Sequence, residues 1–97
     1  MKAVFITFDQ AHYENIVKIL DRTSNRGFTG WEYTQGRGTK TGEPHYGSHA
    51  WPSINSSIIT MVEDQKVDSL LNELKKLDEL RPALGLRAFV MNIEKTI

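Results

Sequence analysis

An apolar stripe in residues 63–80 constrains the fold of this chain more than any other sequence feature. Apolar side chains recur there at spacings of three and four residues, which places them on one face of an α-helix. They are Val67, Leu70, Leu71, Leu74 and Leu77. Acidic residues open the segment and lysines follow, an order that the helix dipole favours, and Pro82 prevents further helix. Because such a helix must pack its apolar face against another element, the segment predicts a layered fold.

A second helix is predicted after Asp9 by the same kind of apolar spacing. The residues that share its apolar face are Tyr13, Ile16, Val17 and Leu20. Asp9 is a candidate N-cap, and Asn25 and Gly27 are of residue types that often end a helix. We therefore expect this helix to end close to Asn25 or Gly27.

Four segments have the β-branched and aromatic composition of strands. They are residues 2–8, 28–35, 53–62 and 86–93. With the two helices they give the order βαββαβ, which predicts an α+β fold: a ferredoxin-like sandwich with a four-stranded antiparallel sheet and two helices on one face. The first and last strands are apolar at both parities, as Val4 and Phe5 illustrate. We therefore expect another copy of the chain to cover the second face of the sheet.

Composition narrows the classes of function. The chain has 97 residues, and its 12 basic and 12 acidic side chains cancel, so its charge does not favour nucleic acid or an anionic membrane as a partner. It has no cysteine, which excludes disulfides and thiolate chemistry. No apolar run approaches the roughly 20 residues that cross a bilayer. We expect a single cytoplasmic domain spanning residues 1–97.

Residues 36–51, GRGTKTGEPHYGSHAW, have neither a helix nor a strand pattern, and we call them the 36–51 loop. The loop interleaves glycines with Arg37 and Lys40. Its glycines Gly36, Gly38 and Gly42 can present backbone N–H groups to a phosphate or another anion. The alternative is a flexible glycine-rich turn without a ligand.

The same loop contains His45 and His49, which are candidate ligands of a divalent metal. Glu43 and His12 are further possible ligands. Pro44 and Gly47 disfavour a helix here, so the spacing alone does not place both imidazoles on one side. The alternative is that these histidines are polar loop residues.

Catalytic and nucleic-acid signatures are absent from the sequence. It has no nucleophile elbow and no paired carboxylates in an evident cleft, and we expect Ser53, Ser56 and Ser57 to face solvent from a strand. Trp31 and Tyr33 are expected to lie in the core or in a subunit interface rather than to stack on a base. The ribonucleoprotein signature of RNA-binding domains does not occur. We expect neither an enzyme nor a nucleic-acid-binding protein.

Three segments resemble the nitrogen regulatory PII-like signalling superfamily. Residues 27–42 resemble the strand that leads through spaced glycines into the T-loop of that family. Residues 51–74 are similar to the T-loop exit, with a proline before a strand, an acidic turn and the second helix, and residues 87–97 are similar to the last strand. The resemblance is to a divergent member with a shortened T-loop and no basic C-terminal extension.

The resemblance implies a homotrimer that binds an anionic effector, such as an adenine nucleotide, in the clefts between subunits. It also implies that the T-loop changes conformation to bind a protein target. The residues that it assigns to the ligand are Gly36, Arg37, Gly38 and Lys40 in the loop, and Gly85 and Arg87 before and in the last strand. The related trimeric cation-tolerance proteins provide the alternative, a metal-binding protein that uses His45 and His49. A trimer that has lost its ligand is a third possibility.

Overall fold

Four antiparallel strands and two α-helices form the described part of this computed structural model, which comprises residues 1–37, 44–47 and 54–97. In chain order they are β1 (Lys2–Asp9), α1 (Tyr13–Arg22), β2 (Thr29–Thr34), β3 (Asn55–Val62), α2 (Val67–Leu80) and β4 (Arg87–Asn92). The strands are ordered β2-β3-β1-β4 across the sheet. This arrangement confirms the predicted ferredoxin-like sandwich.

The hydrophobic core lies between one face of the sheet and the two helices. β1 is a central strand that pairs with β3 along its whole length and with β4 over most of it. The buried core side chains of the strands are Val4, Ile6, Phe8, Ile58 and Val62, and those of the helices are Ile16, Ile19, Leu20, Leu70 and Leu74. Each fully buried side chain of this kind stabilises the fold by about 1.5–3 kcal/mol. The apolar stripes predicted for both helices are therefore the surfaces that hold them on the sheet.

Helix α1 ends close to Asn25, as the sequence predicted. Its last residue is Arg22, and Ser24 adopts the left-handed conformation with φ of 62°. The Asn25 N–H donates to the Leu20 carbonyl at 2.8 Å, and the Ser24 N–H donates to the Asp21 carbonyl at 3.2 Å. These two bonds form a Schellman motif, which requires the left-handed residue at position 24. Asn25 therefore takes part in ending the helix, as predicted, whereas the left-handed residue is Ser24 rather than Gly27.

The serines of β3 are buried, which corrects the expectation that they face solvent. Ser56 and Ser57 are 0% and 6% exposed. The Ser56 hydroxyl donates to the Glu32 carbonyl at 2.6 Å. Glu32 lies where the pairing of β2 with β3 is irregular, between Trp31 and Thr34. A serine suits this position because its hydroxyl satisfies a backbone carbonyl inside an irregular ladder. Ser53 lies outside the described residues.

The second face of the sheet carries large apolar side chains that no element of the described chain covers. The exposed ones are Trp31 (49%), Met61 (51%), Phe89 (53%) and Met91 (46%). Phe5 pairs with Phe89 and Ile59 in the middle of this face. We call this surface the open face. The predicted two-sided apolar character of β1 and β4 is confirmed. Trp31 and Tyr33 are exposed in the single chain, so they do not lie in its core, and their burial in a subunit interface stays a prediction.

Neither helix of the described chain is long and apolar enough to pass through a lipid bilayer. α1 has 10 residues and α2 has 14. Each keeps polar side chains on the side that faces away from the sheet.

Replacing Ser56 by alanine should destabilise the fold by about 0.5–1.5 kcal/mol, since it removes the hydrogen bond from the buried Ser56 hydroxyl to the Glu32 carbonyl. Chemical denaturation monitored by circular dichroism measures this change. Ser69→Ala is the matched control, because Ser69 is exposed on α2 and its replacement should leave stability unchanged or slightly increased. Equal stability of the two variants would show that the Ser56 hydrogen bond contributes nothing.

Candidate functional site

Four of the ligand residues assigned from the sequence lie in the described ranges, at the end of the sheet where β1 and β2 end and β3 and β4 begin. Gly36 and Arg37 follow β2, whereas Gly85 and Arg87 lie just before and at the start of β4. β2 and β4 are the two edge strands, so three inter-strand spacings of about 4.8 Å separate them by about 14 Å. One chain therefore keeps the two groups of predicted ligand residues apart.

The described part of the 36–51 loop contains strand-like pairing, contrary to the sequence expectation. Gly36 and His45 exchange backbone hydrogen bonds of 3.0 and 2.6 Å. Tyr46 forms a second antiparallel bridge with Ile54. Residues 44–47 thus lie between the chain that leaves β2 and the chain that enters β3. This pairing, which composition does not reveal, fixes the base of the loop to the sheet.

Three polar side chains connect the loop base to the central strands. His45 Nδ1 lies 2.5 Å from Asn55 Oδ1 and 3.7 Å from Asp9 Oδ2. Because an amide oxygen only accepts, Nδ1 of His45 carries the proton in this hydrogen bond. Asp9 and Asn55 are cross-strand partners at the ends of β1 and β3. Sequence reasoning missed this cluster because residues 9, 45 and 55 become neighbours only through strand register.

The Tyr46 carbonyl is a second anchor of the loop base. It accepts hydrogen bonds from Tyr33 Oη at 3.1 Å and from Gln35 Nε2 at 3.0 Å. Gly47 follows with φ of 65°, and a Cβ atom there would lie 2.6 Å from Tyr33 Oη and 3.1 Å from Ile54 Cγ1. Both the backbone conformation and the contact require glycine at this position.

Arg37 is the exposed cation on this side of the site. The residue is exposed where the chain leaves β2. Gly36 packs closely on Asn55, and a Cβ atom at Gly36 would collide with the Asn55 amide. Gly38 and Lys40, which the sequence also assigns to the ligand, lie outside the described residues.

The turn between α2 and β4 presents the second group. Gly85 has φ of 72°, and space is open around it. The Arg87 side chain is 48% exposed. Its Nη1 atom donates to the Leu86 carbonyl at 2.6 Å and lies 3.8 Å from Asp78 Oδ2. Arg87 is therefore accessible to solvent but already paired with a carboxylate.

His12 is buried beside these groups and is not a cation at neutral pH. The residue is 4% exposed, and its Nε2 atom has no hydrogen-bond partner in the part of the chain that the structure describes. Burial lowers the pKa of His12; the Asp9 carboxylate raises it, Arg81 lowers it further, and Asp78 raises it. Since the unperturbed value is already about 6.5, His12 stays neutral at pH 7. It adds no positive charge for an anionic ligand.

The metal alternative is not favoured. Nδ1 of His45 is occupied by Asn55, and among residues 1–37, 44–47 and 54–97 no three histidine or acidic side chains are grouped to hold a metal ion. His49 and Glu43 lie outside the described residues, and so the proposed pair of histidine ligands remains a prediction.

Two cavities lie in the described part of the chain, one at each end of the sheet. One of about 360 Å³ lies at the opposite end of the sheet, between residues 24–29 and Met61, Glu63 and Lys66. Another, of about 380 Å³, lies beside the start of α1 and is bordered by Glu14 and Glu32. Neither Arg37 nor Arg87 borders these two cavities.

Gly47→Ala should loosen the loop base. A left-handed alanine costs about 1–2 kcal/mol, so hydrogen exchange of the Gly36 and His45 amides should accelerate about 5- to 30-fold. Gly27→Ala is the control, because nothing lies within 4 Å of a Cβ atom there. Amide exchange by NMR measures both variants, and identical rates would contradict a requirement for glycine at position 47.

Comparison with known proteins places the chain in a family. The model of the family described as nitrogen regulatory protein P-II matches residues 1–97. CPII, a nitrogen regulatory PII-like protein from Thiomonas intermedia K12 solved with ADP, AMP and bicarbonate, superposes with a TM-score of 0.77. The identity is 26%, over 95% of this chain and 84% of CPII. No curated protein sequence matches the chain.

Two further solved structures share the fold. The apo form of CPII gives a TM-score of 0.73 with 24% identity, over 95% of this chain and 87% of that chain. A PII-like signalling protein from Thermus thermophilus gives 0.68 with 24% identity, over 95% of this chain and 85% of that chain. Because the family model matches its full length, and the βαββαβ sheet and the glycine-bearing loop between β2 and β3 agree with that match, this chain belongs to the nitrogen regulatory protein P-II family.

Proposed function

We propose that this chain is a non-enzymatic PII-like regulatory protein that binds an adenine nucleotide. The observation that carries the proposal is the similarity to CPII, which was solved with ADP, AMP and bicarbonate. Residues 1–97 form one regulatory domain in this proposal. The protein target that it regulates is unidentified.

Two exposed arginines support an anionic ligand. Arg37 is exposed after β2, and Arg87 is half exposed at the same end of the sheet. A guanidinium can donate two parallel hydrogen bonds to a phosphate, which makes arginine well suited to bind a nucleoside diphosphate. Gly36 and Gly85 allow a ligand to approach the backbone, and Gly38 and Lys40 would extend the phosphate contacts.

The open face supports a homotrimer. Its exposed aromatic and methionine side chains would be removed from water if another copy covered them, and this burial of apolar surface favours assembly. Assembly would also bring together the two groups of predicted ligand residues, which lie on opposite edges of a single chain. A cleft between copies can bring the β2 edge of one chain to the β4 edge of the next, so that Arg37 and Arg87 from different chains contact one nucleotide.

The 36–51 loop is the signalling element in this proposal. Gly36 belongs both to the predicted ligand site and to the backbone pairing with His45. A ligand that contacts Gly36 and Arg37 therefore acts on the residues that anchor the loop. It would shift the population of loop conformers that bind the protein target.

ADP should raise the melting temperature of the protein, by an amount that corresponds to about 2.7 kcal/mol at 100 times Kd. Arg37→Ala and Arg87→Ala should each weaken binding about 10- to 100-fold, since a charge-assisted hydrogen bond contributes about 1.5–3 kcal/mol. Lys75→Ala is the control, because Lys75 is exposed on α2 and its replacement removes the same charge far from the loop. Thermal shift and calorimetric titration measure these effects. The absence of any response to ADP, AMP or ATP at millimolar concentration would contradict nucleotide binding.

Phe89→Asp should convert the trimer into monomers, because it places a charge in the middle of the open face. Leu80→Asp is the control, since Leu80 is also apolar and 78% exposed but lies at the end of α2. Sedimentation equilibrium measures the mass of each variant. A wild-type protein that sediments as a monomer would refute the trimer.

A further inference from the structure

Asp78 and Arg87 form an ion pair across the turn that joins α2 to β4. Arg87 Nη1 lies 3.8 Å from Asp78 Oδ2. The same nitrogen donates a hydrogen bond of 2.6 Å to the Leu86 carbonyl. These two contacts hold the guanidinium beside the C-terminal end of α2.

A nearby positive charge stabilises the Asp78 carboxylate more than it would stabilise a fully exposed carboxylate. Its Oδ1 atom is buried and has no hydrogen-bond partner among the described residues. It also lies in the last turn of α2, where the helix carbonyls carry partial negative charge and no basic residue is present. When Arg87 turns to a bound anion, the Asp78 carboxylate loses this ion pair. The ion pair therefore opposes anion binding.

We propose that Asp78 sets the affinity of the anion site by competing with the ligand for Arg87. The proposal rests on the function proposed above, in which Arg87 contacts the phosphates of an adenine nucleotide. Carboxylate and phosphate oxygens are the same kind of acceptor for a guanidinium, so Asp78 and the ligand exclude each other at Nη1. Asp78 is a positioning residue: it acts through Arg87 and does not contact the ligand.

Calorimetric titration of ADP into the full chain tests the proposal. Asp78→Asn should bind ADP about three- to fivefold more tightly than wild type, the upper range for a partly exposed ion pair. Glu79→Gln is the matched control, because it removes an identical charge from the adjacent, exposed position of α2. Its affinity should equal that of wild type. Equal affinities of the two variants would overturn the proposal.

The Arg87→Ala background distinguishes competition from direct repulsion. If Asp78 acts through Arg87, Asp78→Asn should bring no gain in ADP affinity when Arg87 is already alanine. A gain that persists in the double variant would mean that Asp78 repels the ligand itself, and the positioning role would be refuted.

Inorganic pyrophosphate separates failure of this proposal from failure of nucleotide binding. If wild type binds ADP but Asp78→Asn and Glu79→Gln bind it equally, the nucleotide function stands and the role of Asp78 falls. If no variant binds ADP, the nucleotide function fails, and pyrophosphate decides the role of Asp78. Tighter binding of pyrophosphate by Asp78→Asn than by Glu79→Gln then supports the competition, and equal binding overturns it.

Discussion

The central position of β1 is the constraint on which the rest of the structure depends. β1 pairs with β3 on one side and β4 on the other, and it is apolar on both faces. Through one face it forms the core with α1 and α2, and through the other it occupies the middle of the open face. Its last residue, Asp9, caps the turn before α1 and lies beside His45 of the loop base. One strand therefore connects the core, the surface available for assembly and the loop.

The two edges of the sheet hold their arginines in different ways. On the β2 edge, hydrogen bonds of His45 and of the Tyr46 carbonyl fix the loop base without using Arg37. On the β4 edge, the turn after α2 leaves Arg87 paired with Asp78. In the function proposed above, the anion meets an exposed Arg37 on one edge and an Arg87 that is paired with a carboxylate on the other.

Periodic patterns in the sequence predicted the regular elements correctly, because burial of one helix face or strand face imposes a fixed spacing on apolar residues. They did not predict the details that hydrogen bonds decide. The end of α1 depends on a Schellman motif at Ser24, and the burial of Ser56 depends on a carbonyl in an irregular part of the ladder. In the candidate site, resemblance predicted Arg37 and Arg87 as ligand residues, which stays a prediction. It did not find Asn55 or Asp78, because their contacts with His45 and Arg87 depend on tertiary structure rather than on a sequence motif.

By itself, the sequence determined the order of the elements, the two-sided apolar character of β1 and β4, and the placement of a glycine-rich loop between β2 and β3. These properties follow from side-chain chemistry and local spacing alone. Only the tertiary structure decided that Arg37 and Arg87 lie on opposite edges, that His45 bonds to Asn55, and that Asp78 holds Arg87. The reason is physical: strand order and register set which distant side chains meet, and neither is encoded in the spacing of residues within one element.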